Sequence, residues 1–332
     1  MTDFSISRAF GLMARTAPFL IFRMAVYFGM ACAYVIVTGT GAGIGWGIGG
    51  FGDEEFRAGA TFWGGAAGFG LTAGVLYFLR EYILYTVKAG HIAVMVEMID
   101  DRPFPEGRGQ IAHATAVVKE RFVETSVLFG IDQLVKGVLG AITGLLQGVA
   151  SFLPIPGLQQ IMGIVRAFLR IAVGLVDEVI LAHAIRTRST NPWASARTAL
   201  VLYGQNAGRM MRNAAVLTLI VWALSLVVFV VMLAPAAAVV YLIPGAWSAG
   251  GVVFALIFAW AVKAALIEPF AIACMMQAFF KVTEGQVPDP AWEGKLDSAS
   301  AKFQKMGARA ATWVGAPAAT AAASDTAPTA TV

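Results

Sequence analysis

Long apolar stretches constrain this chain more than any other feature. Residues 24–50, 60–79, 123–153, 158–183, 214–243 and 252–280 are each near or beyond the roughly 20 residues that carry a helix across a bilayer. A run of that length can satisfy its own backbone polar groups in lipid by closing them into a helix. Composition agrees: 58% of residues are hydrophobic and 13% are charged, where a soluble domain carries about a quarter charged. Mean hydropathy is +0.73. The expected fold is therefore all-α: a polytopic integral membrane protein with about six transmembrane helices in three hairpins plus amphipathic interfacial helices.

Basic residues cluster at the ends of these runs. Of 24 Lys and Arg, nineteen fall in segments on one side of the expected membrane, Arg57 alone falls on the other, and four lie inside spans. Such a bias places the basic side in the cytoplasm. Both termini are thus expected to be cytoplasmic, in a multi-pass protein of the cell (inner) membrane. The pI near 9.1 gives no reason to expect a nucleic-acid partner, because no basic patch interleaved with aromatics marks a soluble binding face. No cleavable signal peptide is expected, since the first apolar run is too long and too rich in glycine for a short h-region. Cys32 and Cys274 both lie in apolar runs and read as ordinary buried residues.

Residues 1–23 read as an amphipathic interfacial helix. Ile6, Phe10, Met13, Ala17 and Leu20 share one face of it, and Arg8 and Arg15 lie opposite. The first span ends in a glycine-rich stretch in which Gly39, Gly43 and Gly47 make one set of GxxxG steps. Gly41, Gly45 and Gly49 make another, and the second span carries Gly64/Gly68 and Gly70/Gly74. Small residues let helix backbones approach closely in lipid. Close packing of spans 1 and 2 is one reading; contact with a second copy or a partner membrane protein is another. An unwound segment lining a cavity is the functional alternative, because glycine weakens a helix. The second span continues helical past Arg80 to Ile99, longer than a bilayer needs, so it must bend or leave the membrane. Residues 110–122 and 192–213 read as amphipathic segments, the latter with Trp193, Tyr203, Arg197, Arg209 and Arg212 suited to an interface. Residues 281–314 form a cytoplasmic amphipathic segment. The Ala/Thr/Pro/Ser composition of 315–332 predicts a disordered tail.

The central hairpin, residues 123–183, turns at Leu153-Pro154-Ile155-Pro156-Gly157. The third hairpin turns at a similar Leu242-Ile243-Pro244-Gly245, a weak internal repeat that Pro-Gly turns can produce unaided. At 100° per residue, Asp132, Lys136, Thr143 and Gln147 fall on one stripe of the first arm. Arg166, Arg170 and Asp177 fall on one stripe of the second, with Glu178 beside it. Ionisable groups cost roughly 2.5–3.5 kcal/mol each at a helix centre in lipid, so they face a partner or water. Lys136 comes level with about Gly174, within a helical turn of Asp177, and is expected to pair with Asp177, with Asp132 nearby. Lys263 and Glu268 in the sixth span form a second candidate. Their spacing of five sets them on different α-helical faces, so each is expected to need another partner.

Enzyme chemistry is not expected. The histidines His91, His113 and His183 are scattered, and no HExxH, Cys-x-x-Cys or GxSxG pattern occurs. No cofactor or metal is implied. Two functional readings follow. One moves a small solute or ion through the polar seam of the central hairpin. The other is a non-transporting membrane scaffold or assembly factor that binds lipid or partner proteins. A carrier should show a cavity reaching the seam; a scaffold should show those groups sealed in ion pairs beside an exposed small-residue face.

Overall fold

The computed structural model describes residues 2–104, 109–121, 131, 134, 135, 137, 138, 140, 175–242 and 248–313. Regular structure among the described residues is entirely helical. In chain order the helices are α1 (Ile6–Arg15), α2 (Ala17–Gly49), α3 (Glu54–Ile99), α4 (Gln110–Arg121), α5 (Val176–Arg186), α6 (Pro192–Gln205), α7 (Ala207–Leu242) and α8 (Ser248–Val262). A single π turn (Lys263–Ile267) joins α8 to α9 (Glu268–Val282). Then come α10 (Pro290–Ala299) and α11 (Ala301–Ala311).

Three helical stretches among the described residues are long and apolar enough to cross a membrane: Ala17–Gly49, Ala207–Ala238 and Ala255–Val282. That is fewer than the six expected. Expected spans 3 and 4 lie mostly outside the described residues. Expected span 2 is carried by the first half of α3, a 46-residue helix about 70 Å long at 1.5 Å per residue, more than twice the roughly 30 Å of bilayer hydrocarbon.

The surface of the long helices divides in two. Along α2, the start of α3, the second half of α7 and α8, large apolar side chains point outward: Ile21, Ile36, Trp63, Leu71, Leu226 and Leu256 are all more than half exposed. Elsewhere the same chain builds a closed core. The last turns of α3 (Ala89 to Val96) are buried with α5, most of α6 and nearly all of α9. This half is a helical cap; the other half is a bare apolar bundle.

Two elements differ from the sequence expectation. The N-terminal amphipathic segment does not run to Phe22. It stops at Arg15, where the Thr16 hydroxyl bonds the Leu12 carbonyl at 2.9 Å, and Pro18 opens α2. Ala9, Leu12 and Met13 of α1 face the core, while Ile6 and Phe10 stay exposed. Residues 192–213 are not one interfacial helix. Trp193, Leu200, Leu202 and Tyr203 of α6 are buried in the cap, covered by Leu296, Phe303 and Met306 of α10 and α11. Aromatics and arginines at a helix end suit a membrane interface, but they suit a buried helix equally when ion pairs take the charges. Arg197 is held by Glu293 at 2.9 Å and Asp297 at 2.6 Å. Arg209 and Arg212 reach Asp3 at 3.0 and 3.5 Å. The segment 281–314 contributes α10 and α11, with Ser300 capping α11 through the Phe303 amide.

The glycine sets separate cleanly. A Cβ at Gly41 would strike the Gly64 carbonyl, one at Gly45 the Ala60 carbonyl, and one at Gly68 the Val37 carbonyl. Gly49 would meet the Arg57 Cα at 2.5 Å. This set seats α2 on α3 with backbones in contact. Gly39, Gly43, Gly47, Gly70 and Gly74 have open space where a side chain would go. The unwound alternative does not hold, because α2 remains helical through Gly49.

Candidate functional site

The charged groups gather where the bundle meets the cap. Arg23 enters from the root of α2, Lys88 and His91 from α3, Asp177 and Glu178 from the start of α5, and Lys263 and Glu268 from the π turn and α9. Three cations and three carboxylates therefore converge, apart from the neutral histidine.

Glu178 is 5% exposed and pairs with the Lys88 ammonium. Asp177 and Glu268 lie within electrostatic reach of the same ammonium. The sequence expectation gave Asp177 to Lys136 instead. Lys136 lies outside the described residues, as do Asp132, Thr143, Gln147, Arg166 and Arg170. Of the expected seam, Asp177 and Glu178 are the described members.

The π turn explains Arg23. In an α-helix the Glu268 amide would donate to the Ala264 carbonyl; here it donates to Lys263, one residue further back. Pro269 has no amide of its own and crowds the carbonyl four residues before it, so a wider turn in this place relieves the helix. The freed Ala264 carbonyl accepts from the Arg23 guanidinium at 2.7 Å. Arg23 is only 2% exposed, lies 3.7 Å from Glu268 and has its guanidinium carbon 5.8 Å from the Tyr27 ring. The wider turn also overturns the expected facing of the second pair. Residues five apart come together on a π turn, and Lys263 stands 3.6 Å from Glu268. Glu268 does have the further partner that was expected of it, in Arg23.

His91 closes the site on the cap side. Its ring stacks on Phe19 at 5.1 Å, nearly parallel, and Nε2 lies 2.9 Å from the Thr16 hydroxyl. The Thr16 proton is already given to Leu12, so the hydroxyl accepts and Nε2 carries the hydrogen. Burial, aided by the Arg23 charge, pushes the imidazole down to about 3, and the ring is neutral at ordinary pH. Among the described residues no cluster of three His, Cys, Asp or Glu is arranged to hold a metal.

Sequence reasoning placed Arg23 and Lys88 among the basic residues that flank spans. A signal for Arg23 was present: Arg23, Tyr27, Met30 and Ala31 recur at helical spacing and are all buried on one face. Nothing local marks Lys88, because its partner is 90 residues away.

The cavities lined by described residues include these three. One is a cleft on the cap beside Arg197 and Asp297. The second is a furrow between α2 and α3 along Gly41, Gly45 and Gly64. The third is an apolar groove between α2 and α4. None is lined by Arg23, Glu178 or Glu268. No protein-family model matches this chain, and neither a curated protein nor a solved structure matches it.

Proposed function

We infer that this protein works as a membrane-embedded scaffold: apolar helices anchor it, and a folded helical cap holds a lipid or protein partner at the bilayer surface. One observation carries the reading. The Glu178 carboxylate, at the described end of the expected polar seam, is buried and paired with Lys88, while the Arg23 guanidinium lies 3.7 Å from Glu268 and donates to the Ala264 carbonyl. Charges neutralised in this way lower their cost in a low-dielectric setting. The open glycine face at Gly39, Gly43 and Gly47 supplies a surface for a partner helix, since small residues permit close approach. Phe4 near one end of the chain and Phe303 and Met306 near the other are buried in the same core, which supports termini on one side. The excess of basic residues makes that side the cytoplasmic face of the cell membrane.

The second reading is movement of a small solute or ion through a seam of Asp132, Lys136, Thr143, Gln147, Arg166, Arg170, Asp177 and Glu178. The π turn favours it, because such turns gather at functional sites, and Lys263 and Glu268 on it keep 39% and 31% of their side chains exposed. Thiol accessibility in vesicles separates the two. Gln147→Cys and Arg166→Cys should resist membrane-impermeant maleimide from both sides. Labelling of both positions would replace the scaffold with a conduit.

A further inference from the structure

A groove of about 230 Å³ lies between the root of α2 and α4, where the bundle meets the cap. Its walls are Phe19 and Phe22 from α2, Val87 and Gly90 from α3, and Ile111 and Ala114 from α4, with Thr115 and Lys119 on its α4 side. Ile111, Thr115 and Lys119 recur every four residues, so one face of α4 turns toward the opening.

We propose that this groove binds one acyl chain of an anionic phospholipid, with its phosphate held by Lys119. The assignment rests on the membrane reading of α2 and extends it to a defined lipid site. Three features argue for this occupant. The α2 wall adjoins outward apolar surface: Phe22 is half exposed, and Phe28 and Ile36 further along the same helix are more than half exposed. A chain can therefore enter from the bilayer without crossing water. The lining is almost wholly apolar and its cation stands on the α4 wall, which matches the chemistry of an anionic amphiphile. The volume is below the roughly 300–1,000 Å³ of pockets that enclose compact ligands, which suits a thin chain admitted from one open side. Gly90 contributes space: a Cβ there would come within 3.2 Å of the Ala114 methyl.

The test uses the full chain. First, the protein is floated with vesicles of phosphatidylcholine containing phosphatidylglycerol. Lipid retained after mild detergent extraction is then counted by native mass spectrometry. Wild-type protein should retain one phosphatidylglycerol in preference to phosphatidylcholine. Lys119→Ala should lower that preference about fivefold. Thr115→Trp, a change at an exposed position that fills the groove, should abolish the retained lipid. Lys305→Glu, on an exposed face of α11, should change nothing. Equal retention of both lipids, or a retained phosphatidylglycerol indifferent to Lys119→Ala and Thr115→Trp, would overturn the groove assignment while leaving the membrane reading intact. A chain that fails to float with the vesicles would overturn both.

Discussion

At the scale of single residues, the junction depends on charges that stabilise the protein only as partners. Lys88 and Glu178 are costly to bury separately and tolerable together. Removing one leaves the other uncompensated, typically a loss of about 3–5 kcal/mol, whereas replacing both by apolar side chains is often close to neutral. Lys88→Met alone should therefore lower the unfolding midpoint in detergent sharply. The double variant Lys88→Met with Glu178→Leu should recover most of the loss, and additive single effects would count against the pair. His91 makes a prediction in pH. Its folded value lies near 3, well below the 6.5 of a free imidazole. Between those values the unfolded chain binds the extra proton, so stability falls as pH drops below 6.5. At pH 5 the loss from this group is about 2 kcal/mol, taking 1.36 kcal/mol per pH unit over 1.5 units. Thermal melts should show that slope in wild type and a flatter one in His91→Phe.

At the scale of elements, two adjacent glycine sets on α2 have opposite roles. Gly41 meets the α3 backbone directly; Gly43, two residues on, faces outward. Gly41→Ala should force α2 and α3 apart and cost about 1–3 kcal/mol as overpacking. Gly43→Ala should instead stabilise slightly, by up to about 1 kcal/mol, because alanine is the better helix former and meets nothing. The sign difference is readable from melting temperatures alone. The π turn shows the same dependence on neighbours. A proline within a long apolar helix predicts a kink. The kink takes the form of a widened turn whose spare carbonyl is filled by an arginine 241 residues earlier in the chain.

At the scale of the whole molecule, cap and bundle are stabilised differently. The bundle buries little of itself and leaves large apolar side chains exposed. The cap buries its own core and is completed late in the sequence. Leu296, Phe303 and Met306 are fully buried over α6, and Trp292 packs against Gly204. Removing α10 and α11 by ending the chain at Pro288 should cost roughly 5 kcal/mol or more, at about 1.5–3 kcal/mol per buried apolar side chain. Trypsin should then cut at Arg197, which the intact chain protects through Glu293, Asp297 and stacking on Phe303. The long apolar helices should survive that digestion in the membrane fraction.

The sequence by itself determined what depends on near neighbours. Apolar runs of membrane length made helices, and glycines four apart marked a close-packing face. The unusual length of α3 was legible for the same reason. Helical periodicity links residues three or four apart, and reading it needs nothing beyond the local chain. Only the tertiary structure decided which groups meet. It chose Gly41, Gly45 and Gly49 over the parallel set one face away. It buried α6, whose aromatics and arginines equally suited a membrane surface, beneath helices about a hundred residues later. It gave Glu178 to Lys88 and the Ala264 carbonyl to Arg23. A buried charge must find an opposite charge or a free dipole somewhere, but its own helix does not specify where. That choice belongs to the packing of distant elements, and at this junction packing rather than pattern set the chemistry.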